Sequence, residues 1–170
     1  MSESGSTPTP PGGQSSQPVF HVEKVYMKDF SFESPNAPQV FGEQSEPKVE
    51  FNLDTKSTKM GEDHYEVMLH VVLNVKHGET VMFLVDVTYA GLFLLKNFPP
   101  EHVTTAISVE CPHILFPYIR QVVSHAVGEG GFKPLVLDPI NFAAVFHQAQ
   151  QKKAAQAQNQ SYADSNPLAQ

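Results

Sequence analysis

The chain has 170 residues, 41% of them hydrophobic, a length that suits one globular domain rather than two. Acidic residues outnumber basic ones, 18 to 11, and the net charge of -7 argues against a nucleic-acid partner. The single cysteine, Cys111, excludes an intramolecular disulfide and a structural zinc site built on paired thiolates. No apolar run reaches the roughly 18 residues that span a bilayer, and the first residues lack the features of a secretory signal. We therefore expect a cytoplasmic protein that does not insert into a membrane.

Composition divides the chain into a core and two tails. Residues 1–18 are almost entirely Ser, Thr, Pro, Gly and Gln, which predicts a disordered tail. Residues 148–170 are rich in Ala and Gln, and a helix could extend into them for a turn or two before a mobile end. The folded domain is predicted to span residues 19–147.

Four stretches of alternating hydrophobicity predict strands, over residues 19–33, 49–57, 65–75 and 81–89. In the first, one predicted face carries Phe20, Val22, Tyr26, Phe30 and Phe32. The other predicted face carries Val19, His21, Glu23, Val25, Met27, Asp29, Ser31 and Glu33. Short connections between the strands favour an antiparallel sheet.

From Pro99 onward the spacing of apolar residues becomes helical. A short helix is predicted around residues 103–110 and a longer one from Pro112 to Ala126, bent near Pro117. A last helix is predicted to start near Asn141. Strands followed by helices indicate an α+β fold.

Motifs for catalysis, metal binding and nucleotide binding are missing from the sequence. There is no HExxH, GxSxG, GxxxxGK[ST] or GxGxxG pattern, so we expect no catalytic residues, no metal and no cofactor. Asp29 and Glu33 share a strand face but lie about 13 Å apart along it, too far for a pair of carboxylates acting on one glycosidic bond. A solvated polar face and a negatively charged docking surface, which Asp86 would extend if the fourth strand lies nearby, both fit them. A small α+β enzyme that uses an acid or a histidine is a further alternative.

Aromatic residues are abundant, with 12 Phe and five Tyr and no Trp. Such a content indicates apolar surface beyond what one small core needs. Oligomerisation and a groove for extended peptides both explain that surface, and they are compatible.

Three segments of the core resemble the bacterial export chaperone family SecB. They are KDFSFESPNAP (28–38), FLVDVTYAGLF (83–93) and ECPHILFPYIRQVVSHAVGEGGFKPLVLDPINF (110–142). The resemblance implies a four-stranded antiparallel sheet with helices packed on one side, assembled as a dimer of dimers. It implies a non-enzymatic chaperone that holds unfolded precursor proteins without ATP and delivers them to the translocase ATPase SecA. A SecB-like chaperone dedicated to one client, such as an antitoxin, is the alternative.

The resemblance also implies roles for individual residues. It assigns SecA docking to Asp29, Glu33, Leu84 and Asp86. For the client-binding groove we nominate Phe83, Tyr89, Leu92, Phe93, Phe142 and Phe146. The resemblance assigns subunit contacts to Val85, Val87 and Tyr89. The chain departs from the family pattern at Ser45, where a Trp is frequent, and at Asp86, where Glu is common. Lys152 and Lys153 also make the C-terminal tail less acidic than an acidic SecA contact would need.

Overall fold

A computed structural model describes residues 17–42 and 46–164, with side chains as far as residue 156. Its strands are β1 (Val19–Glu33), β2 (Lys48–Lys59), β3 (His64–His77) and β4 (Thr80–Lys96). They form one antiparallel sheet in the order β1-β4-β3-β2. The predicted four-stranded antiparallel sheet is therefore confirmed. The fourth strand continues well past the predicted end at Tyr89, because the apolar run up to Leu95 remains in the ladder and packs on the core.

The helices follow the strands, as predicted. A short helix, α1 (Pro100–Thr105), runs through one π turn into α2 (Cys111–Glu129). At this turn the Cys111 N–H donates to the carbonyl of Ala106, five residues back. The wider turn directly precedes Pro112, which has no N–H for the regular helical bond.

The last helix, α3 (Phe142–Asp164), starts where the sequence predicts, and the Asn141 side chain accepts a hydrogen bond from the Ala144 N–H at 3.0 Å. It runs well beyond the one or two turns expected after His147. Ala, Gln and Lys are good helix formers, so the segment from residue 148 prolongs the helix it follows. Of the predicted tails, 1–18 and 148–170, residues 1–16 and 165–170 lie outside the described residues.

The core lies between α2 and one side of the sheet. Alternate residues of β3 and β4 point toward the helix and are buried: Val67, Leu69, Val71, Leu73, Val75, Phe83, Val85, Val87 and Phe93. From α2 they meet Leu115, Ile119, Val123 and Val127. We call this side of the sheet the helix side and the opposite one the open face. Within the part of the chain that the structure describes, no helix is long and apolar enough to cross a membrane.

Two β-bulges in β1 change its predicted faces. The pairing with β4 slips by one residue between Val22 and Lys24, and again between Met27 and Asp29. Each bulge sets two residues of β1 against one of β4 and reverses the alternation of the segment that follows. Val25 and Met27 therefore lie on the helix side and Tyr26 on the open face, so the sequence prediction for these three residues was wrong. The predicted faces of Asp29 and Glu33 are kept.

Candidate functional site

The open face brings together the three acids singled out in the sequence. Along the β1–β4 pair, Glu33 lies opposite Leu84, and Asp29 lies opposite Thr88. Between these rungs, Asp86 lies opposite Ser31. Because directly opposite residues on paired strands project to the same side, these side chains share one surface. We call Asp29, Glu33, Leu84 and Asp86 the acidic surface.

Two carboxylates elsewhere on the open face, those of Glu66 and Glu50, are neutralised by lysines. Glu66 accepts hydrogen bonds from Lys28 Nζ at 2.7 Å and from the Tyr26 hydroxyl, and these bonds, the Lys28 bond foremost, lower the pKa of Glu66. Glu50 lies 3.0 Å from Lys76 Nζ and 3.3 Å from Lys48 Nζ, and its hydrogen bonds to these lysines, to Lys76 first, lower its pKa.

Two members of the acidic surface differ from these neutralised carboxylates. Among the described residues, neither Asp29 nor Glu33 forms an ion pair. Asp29 accepts a hydrogen bond from the Phe30 N–H at 2.9 Å, which leaves its negative charge without a counter-charge. The acidic surface therefore presents charge that an external cationic group can pair with.

Asp86 is the member of the acidic surface that contacts an ionisable side chain. Its Oδ1 lies 2.7 Å from His70 Nε2 of β3. Both side chains keep substantial solvent exposure, 46% for Asp86 and 39% for His70.

The helix side carries two apolar grooves beside the core. The first, of about 670 Å³, lies between β1 and α2, and we call it the edge groove. Its apolar lining consists of Met27, Phe30, Phe32, Tyr89, Val122 and Ala126. Gln121, His125 and Glu129 supply polar groups to its lining. Met27 and Phe30 are 45% and 37% exposed, so apolar surface is open to solvent here.

The second groove, of about 320 Å³, lies between β2 and the segment that joins α2 to α3, and we call it the loop groove. Its lining residues are Val49, Phe51, Leu73, Leu135, Val136, Leu137, Asp138, Pro139 and Ile140. Val49, Phe51 and Val136 are between 40% and 57% exposed. Apolar surface beside an edge strand suits an extended peptide segment.

Comparisons with known proteins decide the family. The family model "Preprotein translocase subunit SecB" matches residues 13–153. The chain belongs to the SecB family. It is 60% identical over 140 residues to a protein-export protein SecB of Magnetococcus marinus, covering 82% of this chain and 89% of the relative. It is 47% identical over 141 residues to the protein-export protein SecB of Dechloromonas aromatica, covering 83% and 93%. The resemblance to SecB stated from the sequence is thereby confirmed.

Among solved structures, the fold resembles a SecB-like chaperone of Mycobacterium tuberculosis in complex with a peptide from an antitoxin. The TM-score is 0.57 at 18% identity, with 71% of this chain and 90% of that chain covered. At this identity the likeness supports the SecB fold and no more.

Of the residues nominated for the client groove, two are internal in this SecB chain. Phe83 is 4% exposed, with ring centroids 5.9 Å from Phe32 and 4.8 Å from Phe132. Phe93 is fully buried and packs on Phe20 at 5.9 Å. Both rings support the grooves from within the core, and neither offers a surface to a peptide in this conformation.

The other four nominated residues are dispersed. Tyr89 lines the edge groove and stacks on Tyr118, with ring centroids 5.7 Å apart. Leu92 lies on the open face, opposite Glu66, away from both grooves. Phe142 is buried against Phe116, and both Phe142 and Phe146 line a cleft of about 370 Å³ between α3 and β2. The six residues therefore do not form one groove, and a client role remains a prediction for Tyr89 and Phe146.

The residues expected at subunit contacts also differ in burial. Val85 and Val87 are fully buried between the sheet and α2, so their side chains do not reach another subunit in this conformation. Tyr89 is partly exposed and remains a predicted contact.

Sequence reasoning missed the apolar groups that are most open in the grooves: Met27, Val49, Phe51 and Val136. A signal for the β2 residues is present, because Val49, Phe51 and Leu53 alternate with polar residues in a strand that has few large apolar side chains. No comparable signal marks Val136, since the exposure of a connecting segment depends on how it packs.

The described residues offer few groups for metal binding or nucleophilic chemistry. They contain no group of three or more His, Cys, Asp or Glu side chains placed to hold a metal ion. Cys111 is buried, and desolvation, with a smaller effect of Glu110, raises the pKa of its thiol to about 12. A thiol in this state is a packing group rather than a nucleophile.

Proposed function

We propose that this SecB chain is an export chaperone that holds unfolded precursor proteins in apolar grooves and delivers them to SecA. One observation carries the proposal: the sheet separates two surfaces, with exposed apolar grooves on the helix side and unpaired carboxylates on the open face. A client and a partner can therefore occupy the chain at the same time. Family membership supplies the export context.

Client holding rests on the edge groove and the loop groove. Each is small and apolar, and each fits a short stretch of unfolded chain rather than a folded surface. One such contact binds weakly, whereas several contacts along one client raise its affinity through effective concentration. We therefore propose a dimer of dimers, which multiplies the grooves available to one precursor. Tyr89 is its candidate subunit contact.

Delivery rests on the acidic surface. Leu84 lies opposite Glu33 and two residues from Asp86, with Asp29 farther along the same face, so an apolar contact stands at one end of a row of negative charge. A basic segment of SecA is complementary to this arrangement, and salt should weaken its binding. Release of the client is then coupled to partner binding rather than to a nucleotide bound by this chain. We place this cycle in the cytoplasm, without enzymatic turnover.

Dedication to one client such as an antitoxin is the second candidate. It is suggested by the antitoxin peptide bound to the Mycobacterium tuberculosis chaperone, a protein that shares the fold of this chain. Relatives named protein-export protein are 41–60% identical to this chain, against 18% for that chaperone. Export is accordingly the function we propose.

The proposal is tested by separating its two surfaces. Phe51→Ser should weaken suppression of the aggregation of an unfolded precursor, while Glu33→Gln should weaken SecA binding in a titration. Each variant should leave the other activity unchanged. Met60→Ser is the matched control for the groove, because Met60 is 61% exposed and lies at the end of β2 outside the loop groove.

Light-scattering mass measurements complete the test. The wild-type chain and all three variants should have the mass of a tetramer, and the wild type should gain one client. Loss of both activities in either variant, with assembly intact, would contradict two separate surfaces. A wild-type chain that neither assembles nor retards aggregation would refute the proposed function.

A further inference from the structure

His70 lies on the open face beside the acidic surface, and it is not one of the residues of that surface. Its Nε2 lies 2.7 Å from Asp86 Oδ1. Because a carboxylate only accepts hydrogen bonds, Nε2 must carry the proton in this contact, which leaves Nδ1 as the site of a second proton. Histidine side chains gain that proton between about pH 8 and 5. The neutral ring orients Asp86 without altering its charge, whereas the imidazolium neutralises it.

The groups around His70 are mainly acidic. On β2, Asp54 lies directly opposite His70, with Lys56 Nζ 3.9 Å from the Asp54 carboxylate. On β4, Thr88 lies opposite and Asp86 is bonded to the ring. Beyond β4, Asp29 of β1 lies in the same cross-strand row, because it pairs with Thr88.

Cations near His70 are already engaged. Along β3 its open-face neighbours are Met68, whose sulfur lies 3.4 Å from Lys28 Nζ, and Val72. Lys28 is itself paired with Glu66 at 2.7 Å. The helices of the described chain pack on the other side of the sheet, so water reaches this row. A proton on His70 therefore changes the charge of the acidic surface where a partner meets it.

We propose that His70 is a proton-operated regulator of partner docking, which weakens binding at low pH by pairing its imidazolium with Asp86. This inference rests on the proposed function, since it concerns the regulation of the same surface. While His70 is neutral, the acidic surface presents three negative charges. After His70 is protonated it presents two, and the positive ring stands where the basic partner segment would approach. His70 acts through Asp86 and is a positioning residue.

The test compares how pH affects SecA binding in matched variants. The dissociation constant is measured at pH 8 and pH 6 at constant ionic strength, and the readout is the ratio of the two values. For the wild type this ratio should exceed that of His70→Gln by about two- to fivefold, the range for one solvent-exposed charge pair. Gln retains an N–H donor for Asp86 and lacks the titrating charge. Groups of the partner that titrate act equally on both ratios and cancel.

Two further variants separate regulation from a structural role. His70→Lys carries its charge at both pH values, so its binding should be weak at pH 8 as well. In the Asp86→Asn background, replacing His70 by Gln should change the ratio of dissociation constants less than it does in the wild type, because no carboxylate remains for the imidazolium to pair with. If His70→Gln keeps the wild-type ratio although the wild type binds SecA at pH 8, the inference is wrong and the proposed function stands. If the wild type does not bind SecA at pH 8, the docking part of the proposed function fails and the inference fails with it.

Discussion

Gly91, in the middle of β4, offers a sharp test of the core packing. A Cβ atom at this position would lie 2.4 Å from Cε2 and 2.7 Å from Cζ of Phe93, and 3.2 Å from Cδ2 of Leu115. Phe93 and Leu115 are fully buried, so neither side chain can move into solvent. The absence of a side chain at Gly91 is what allows the ring of Phe93 to lie over the strand.

Gly91→Ala should therefore destabilise the fold. An ordinary contact begins at 3.4 Å, so the Phe93 ring would have to retreat by about 1 Å into a packed core. Overpacking of this kind costs about 1–3 kcal/mol. The change from Gly to Ala recovers about 0.5–1 kcal/mol, because alanine has less backbone freedom to lose on folding. The middle values of the two ranges leave a net loss of about 1 kcal/mol, which lowers the melting temperature by about 2–4 °C.

The matched control is Gly128→Ala. Gly128 lies in α2, and a Cβ there would meet Pro134 Cγ at 3.7 Å, an ordinary contact. Alanine is the better helix former, so this variant should be more stable than the wild type by up to about 1 kcal/mol. Both variants add one methyl group and are compared by thermal unfolding at the same protein concentration. A Gly91→Ala melting temperature equal to or above that of the wild type would refute the packing of Phe93 over Gly91.

Two predictions follow from the pKa shifts. Burial raises the pKa of the Cys111 thiol to about 12. At pH 8 the folded chain should therefore react with a thiol reagent about three orders of magnitude more slowly than the chain in denaturant. Comparable rates would show that Cys111 is accessible. The hydrogen bond from Lys28 is the main cause that lowers the pKa of Glu66 in the folded chain. Ionised Glu66 therefore stabilises the fold above its pKa in the unfolded chain, about 4.3. This stabilisation is lost as the pH falls through the pKa of Glu66 in the folded chain. Glu66→Gln should cost about 1–2 kcal/mol at pH 7 in urea unfolding, with the difference from wild type shrinking below about pH 4. A difference that is constant with pH would contradict the pairing with Lys28.

The sequence predicted the succession of strands and helices along the chain, because alternation and helical spacing indicate which side of an element is buried. It misplaced Val25, Tyr26 and Met27 because a bulge changes the count without changing the residue types. A signal was nevertheless present: the helix-side residues of β1 are Phe20, Val22, Val25, Met27, Phe30 and Phe32, separated by two and three positions in turn. A strictly regular strand would have a spacing of two throughout.

The site was predictable to different degrees on the two faces. Asp29 and Glu33 could be placed on one face because alternation fixes which side chains of a strand are neighbours, whereas Asp86 joined them through the resemblance to SecB. The residues that line the grooves could not be identified from the sequence, since an aromatic residue such as Phe83 has the same character whether it fills the core or lines a cleft. Which of them is exposed depends on the path of the segment joining α2 to α3, and local sequence does not determine that path. The contact between His70 and Asp86 likewise depends on side-chain conformation.

The bulges also determine how β1 can change in length. In its pairing with β4, this edge strand uses 15 residues, Val19–Glu33, to accompany the 13 residues Leu84–Lys96. A chain lacking Glu23 would lose the hydrogen bond between that residue and His64, but its ladder would become regular at that point. Every remaining side chain would keep its present face. A deletion at a bulge therefore leaves the faces of the strand unchanged, whereas one residue added to the straight run between Asp29 and Glu33 would turn one of these acids toward the core.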